Sequence, residues 1–147
     1  MRLKEQRLVL PARYESIRRL CDFVIGAAEE AGLEGEALFQ VELAVDEACT
    51  NIVEHAYGRR DEGEIQVGYG IHREDGELYF VVRLVDTGDP FDPTAVRQPQ
   101  ACNGVEELQV GGLGMHFMRE MMDRVEFHFH AGWNELIMYK RLAREAS

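Results

Sequence analysis

Glu47-Ala48-Cys49-Thr50-Asn51-Ile52-Val53-Glu54-His55-Ala56-Tyr57 carries two patterns at once. Ala48, Ile52 and Ala56 continue a spacing begun by Val41 and Val45, which predicts a helix from about Glu36 to Tyr57 with one buried stripe. With Glu47 at zero on a helical wheel, Asn51 lies about 40° and His55 about 80° round, while the apolar stripe centres about 140° away. The polar face is therefore separate from the buried one. Its plainest reading is a solvated face, but Asn51 is a weak helix former and needs a reason in mid-helix. An asparagine oxygen is a hard ligand suited to Mg²⁺, and a carboxylate one turn earlier can take a proton from an attacking hydroxyl.

Working outward, Gln6 to Leu10 reads as a short strand, with Pro11 suited to the start of a helix from about Tyr14 to Ala31. Ile17, Leu20, Val24, Ala27 and Ala31 mark that helix's buried stripe, and Gly32 and Gly35 break the pattern. Beyond Gly58 and a polar run to Gly63, two period-two runs, Glu64 to Ile71 and Glu77 to Asp86, flank the turn signal Glu74-Asp75-Gly76 and predict a hairpin. Three of the four prolines fall between Pro90 and Pro99, so residues from Gly88 to Gly111 form a long irregular segment of the kind that serves as a lid. A short helix from Gly114 to Met122 and a last hairpin, Val125 to His130 and Glu135 to Arg141 about Gly132, complete the chain. Helices and strands are segregated, which predicts an α+β two-layer sandwich whose mostly antiparallel sheet carries helices on one face.

Two further pieces join the helix. Asp86-Thr87-Gly88 follows the apolar run Val81 to Val85, so the carboxylate should stand at the rim of the core, where it could accept the exocyclic amine of adenine. Alone it is as readily an ordinary Asp-x-Gly turn. Gly111-Gly112-Leu113-Gly114 offers bare backbone N–H groups at a helix start, where a dipole favours phosphate; alone it is as readily a flexible loop. In fixed order, each on the element its chemistry needs, the three pieces describe a nucleotide site. There is no G-x-x-x-x-G-K-[ST] loop, no H-R-D-x-x-x-x-N and no D-F-G, so neither a P-loop enzyme nor an ordinary protein kinase is supported. Lysine occurs only at Lys4 and Lys140, so phosphate must be held by metal, backbone and arginine or histidine.

Composition bounds the rest. A chain of 147 residues suits one domain, 1–147, which buries roughly 68–70% of its unfolded surface without metal or disulfide. Sixteen basic against 27 acidic residues give a formal charge of −11, which repels phosphate backbones and acidic lipid, so neither nucleic acid nor membrane is expected as a partner. Cys21, Cys49 and Cys102 lack C-x-x-C spacing, and the charged opening Met1 to Arg7 is unlike a signal peptide. A cytoplasmic, soluble protein is expected. His128 and His130 share a strand face but have no third metal ligand at defined spacing, and Met115, Phe117, Met118, Met121 and Met122 read as core packing.

The stretch from Glu47 to Tyr57, with Asp86-Thr87-Gly88-Asp89-Pro90-Phe91-Asp92-Pro93, Gly111-Gly112-Leu113-Gly114-Met115 and the Trp133-Asn134-Glu135-Leu136 turn, resembles the bacterial anti-sigma-factor serine kinases of the GHKL ATPase superfamily. The resemblance covers nearly the whole chain. It implies a two-layer fold holding ATP between helices and a lid, here about 89–111, with Glu47 as general base and Asn51 as the Mg²⁺ ligand. It further implies adenine on Asp86 with Gly88 in its turn, phosphates at Gly112, Leu113 and Gly114 with Thr50 and His55 beside them, and Asn134 near the base. Such proteins sequester a sigma factor and phosphorylate a serine on a STAS-domain antagonist, usually as homodimers. The chain departs from the superfamily's Asp-x-Gly-x-Gly in having Pro90 at the second glycine, and lacks the phosphoacceptor-histidine helix of sensor kinases. A second class stays open, a non-catalytic ATP-binding module that only binds its partner. Glu47 weighs against it, because a pure binder needs no carboxylate one turn before Asn51.

Overall fold

A computed structural model describes residues 6–56, 63–88 and 113–142. Along these run β1 (Gln6–Pro11), α1 (Tyr14–Ala31), α2 (Gly35–Asn51), a π-helical turn (Ile52–Ala56), β2 (Glu64–Glu74), β3 (Glu77–Asp86), α3 (Leu113–Met121), β4 (Arg124–His130) and β5 (Trp133–Arg141). The strands form one sheet in the order β1-β2-β3-β5-β4, with every pair antiparallel. The segregated α+β architecture expected from the sequence is thus what the chain adopts.

Local chemistry explains the joints. Asp75 and Gly76 both have positive φ, 52° and 78°, which is the two-residue turn that an Asp-Gly pair favours between twisted strands. Gly32 ends α1 at φ 109°, donating to the Glu29 carbonyl while Leu33 donates to Ala28, so two orphan carbonyls are satisfied in a Schellman arrangement. Alternate residues of β2, β3 and β5 pack under the helices: Val67, Phe80, Val82, Leu84 and Met138 meet Leu20 and Val24 from α1, Val41 and Val45 from α2, and Met118 from α3, all fully buried.

Three expectations need correction. The second helix does not run as an α-helix to Tyr57: it changes at Ile52 to a π turn, and Tyr57 lies outside the described residues. Asn51, Ile52 and Val53 are all weak helix formers, and burying both Ile52 and Val53 is served by the extra residue per turn. Pro11 closes β1 opposite Glu64 rather than opening α1, on an edge strand where a missing N–H is tolerated. Met118 on α3 and Met122 just after it are buried as expected, but Phe117 is 37% exposed. Cys21 and Cys49 are buried free thiols; burial pushes Cys21 up to about 12 and raises Cys49 well above its ordinary value, which leaves both protonated and unreactive.

Candidate functional site

Register builds the first half of the site. Antiparallel pairing of β3 with β5 sets Asp86 directly opposite Asn134, two polar residues that are 7% and 9% exposed at the end of an otherwise apolar row. The Asn134 Nδ2 donates to Asp86 Oδ1 at 2.9 Å, and the backbone N–H of Gly88 donates to the same oxygen at 2.9 Å. One carboxylate oxygen is therefore committed to holding the group still. Burial pushes the Asp86 carboxyl above its ordinary value, while these two donors pull it back. A buried carboxylate oriented in this way can accept a hydrogen bond from a flat amine-bearing ligand.

Just outside this pair the strand edge is braced. Glu135 receives Arg83 Nε in a short ion pair and faces His130 at 3.1 Å. Trp133 stacks on the His130 ring at 3.9 Å. His128 and His130 are exposed and face Glu126 and Glu135, as a solvated strand face should, and no three metal-ligating side chains gather among the described residues.

The helices supply the second half. An open cleft lies between α2, α3 and the sheet. Ala48, Asn51 and Ile52 line it from α2 and the π turn, Met118 from α3, and Asp86, Asn134, Phe127 and Phe129 from the strands. Its apolar walls with a few convergent polar groups are those of a small-molecule site. Asn51, Asp86 and Asn134 are therefore brought together. Glu47 is one turn before Asn51 and half-buried, and it is outside the cleft lining; burial, then the charges of Asp46 and Glu54, push its carboxyl up. That moves it toward the range of a proton acceptor at neutral pH.

The remaining expected residues divide. Thr50 Oγ1 donates back to Asp46 Oδ1 at 3.4 Å and does not line the cleft. His55 sits in the π turn, where its Nε2 is buried and has no hydrogen-bond partner among the described residues. Gly88 reaches the site through its N–H, and Leu113 and Gly114 open α3, whereas Gly112 and the expected lid 89–111 lie outside the described residues. Sequence reasoning missed the tie from Tyr14 Oη to Glu54 Oε2 at 2.7 Å, which fastens the start of α1 to the π turn. It also missed Phe127 and Phe129 as cleft walls; their alternation along β4 on one face was the available signal.

A two-layer sandwich with a cleft between helices and an antiparallel sheet, holding a buried aspartate at one side and an asparagine on the facing helix, defines an ATP-binding domain of the histidine-kinase-like class. Residues 10–140 match the histidine kinase-like ATPase domain family, and the chain belongs to it. Among its relatives is Serine-protein kinase RsbW of Listeria monocytogenes serotype 4a (strain HCC23), 36% identical over 131 residues that make up 85% of this chain and 80% of that protein. The protein of the same name from Bacillus subtilis (strain 168) is 32% identical over 132 residues, 87% of this chain and 79% of its own. A crystal structure of the RsbU and RsbW domains of a Mycobacterium tuberculosis protein superposes with a TM-score of 0.65 at 18% identity, covering 98% of this chain and 34% of that longer one; it supports the fold.

Proposed function

We propose that this chain is an ATP-dependent protein serine kinase and anti-sigma factor, which holds a sigma factor inactive and phosphorylates a serine on a STAS-domain antagonist. One observation carries the reading: Asn51 from a helix and the Asp86–Asn134 pair from two strands converge on a single cleft. In this reading Asp86 accepts the adenine amine through the oxygen that Asn134 and Gly88 leave to it, and Phe127, Phe129 and Met118 cover the base. Thr50 and His55 stand beside the phosphates, and Leu113 and Gly114 present backbone N–H groups to them at the start of α3.

Asn51 is the residue to hold Mg²⁺. A lone neutral amide suits an ion that arrives on a triphosphate and keeps several waters, and the described residues contain no cage of three metal-binding side chains that would suggest a resident metal. When bound, the ion neutralises charge that builds on the β- and γ-phosphate oxygens. Glu47 takes the proton from the antagonist's serine hydroxyl as its oxygen bonds to the γ-phosphorus, the bond to the β-bridging oxygen breaks, and ADP leaves with that oxygen's electrons. The raised carboxyl of Glu47 makes it the stronger base for this step. We further propose that the protein works in the cytoplasm as a homodimer.

Copurification from the native host should bring down a sigma factor or a STAS-domain protein. Incubation of the purified chain, γ-labelled ATP, Mg²⁺ and that antagonist should then move label to a serine. Tight sigma-factor binding with no label transferred would reduce the chain to a binding module.

A further inference from the structure

Lys140 is 8% exposed, and neither the adenine contact nor the proton transfer uses it. An ammonium has three donors and no acceptor, and burying one is costly unless those donors are taken up. Its Nζ donates to the Met121 carbonyl at 2.6 Å and to Gln40 Oε1 at 2.5 Å. Met121 is the last residue of α3, so its carbonyl is one that a helix end leaves without an intrahelical partner, at the negative end of the helix dipole. Gln40 lies on α2 about two turns before Glu47. The ammonium therefore joins the two helices that form one side of the cleft, through residues that are not in its lining, Met121 lying about one turn beyond Met118, which is.

Its place on β5 is equally specific. The core-facing row of that strand runs Asn134, Leu136, Met138, Lys140, polar at both ends and apolar between. One end grips Asp86; the other, about 20 Å along the strand, grips α2 and α3. An unpaired polar group would suffice for neither place, and a larger apolar residue at 140 would fill the core without tying the helices.

We propose that Lys140 is a positioning residue for the triphosphate: it fixes the spacing of α2 and α3 and thereby aims the start of α3 at the phosphate end of the cleft. The proposal rests on the reading that the start of α3 receives phosphates. The nine residues of α3 span about 13 Å, so a tilt of about 5° about its pinned end displaces its start by about 1 Å. A displacement of that size is enough to cost heavily in phosphoryl transfer.

The test is calorimetric titration of wild type and Lys140→Met with Mg-ATP and, separately, with adenosine, which reaches only the base end. Lys140→Met should bind adenosine within about twofold of wild type and Mg-ATP about tenfold more weakly. A role in core filling alone would move both ligands together, and that parallel loss overturns the proposal. Unchanged Mg-ATP affinity in the folded variant overturns it as well. Should Lys140→Met fail to fold, Gln40→Met removes one acceptor from the partly exposed side, and it should show the same selective loss at about threefold; equal affinities there overturn the proposal. A wild type that binds Mg-ATP no tighter than adenosine overturns the phosphate reading of α3 and the proposal with it. A wild-type preference for Mg-ATP that the variants keep in full overturns the proposal alone.

Discussion

The two ends of the cleft are built from different materials. At the end proposed for the base, Asp86 and Asn134 are placed by strand register, and every step from Gln66 opposite Val85 to Asp86 opposite Asn134 fixes the next. At the end proposed for the phosphates, Glu47 and Asn51 stand on a helix that leaves α geometry right after Asn51, His55 stands in the π turn that follows, and the facing contribution is the first turn of α3. A sheet ladder holds a group rigidly from both sides. A helix terminus or a π turn offers backbone groups and a local change of direction instead, which suits a ligand that carries charge and a metal. π turns frequently occur at functional sites. Under the proposed function the contrast corresponds to two separable jobs, recognition at one end and chemistry at the other.

The sharpest way to break that separation is at Glu47. Glu47→Gln keeps shape and hydrogen bonding but takes no proton, so label transfer to the antagonist should fall by about 10²–10⁴ while ATP affinity is held. Equal transfer by variant and wild type would remove Glu47 from the chemistry. Next in size, Mg-ATP at about 100 times its dissociation constant should stabilise the fold by about 2.7 kcal/mol. Thermal unfolding with Mg-ATP, with ATP plus chelator, and with neither would show whether both ends contribute. At the base end, Asp86→Asn keeps an oxygen for the Gly88 and Asn134 donors but turns a donor toward the adenine amine, a mismatch of about 1–3 kcal/mol. Normal ATP affinity in that variant would sink the base assignment.

The smallest expected effect is on stability against pH. Burial raises the folded-state carboxyls of Asp86 and Glu47, so the folded chain holds protons there that the unfolded chain has released. The associated stability is fully present below their ordinary values of 3.8 and 4.5 and is lost as pH rises through the higher folded values. Asp86→Asn and Glu47→Gln, which cannot ionise, should therefore gain on wild type as pH climbs from acid to neutral. Denaturant unfolding across that range checks the sign.

Much of this was legible in the sequence, and the remainder has a physical reason. Apolar spacing alone located α1 from Tyr14 to Ala31, and Asp75-Gly76 located the β2–β3 turn, because both signals are local. Asn51 and Asp86 stood out as polar residues where apolar pattern or helix propensity opposes them. The Asp86–Asn134 bond was not legible from spacing, since it depends on strands 48 residues apart choosing one register. The π turn was hidden because Val41, Val45, Ala48 and Ile52 keep a regular α period up to it, and only the run of weak helix formers at Asn51-Ile52-Val53 signals the change. Phe117 was misread as buried because a short methionine-rich helix gives too few turns to tell one face from another.

If the cleft divides recognition from chemistry, steady-state kinetics of Glu47→Gln and Asp86→Asn beside wild type will separate the two in different parameters. Asp86→Asn should raise KM for ATP by about tenfold or more with kcat nearly unchanged, and Glu47→Gln should lower kcat by about 10²–10⁴ with the dissociation constant for ATP nearly unchanged. Loss of the same parameter in both variants would contradict the division.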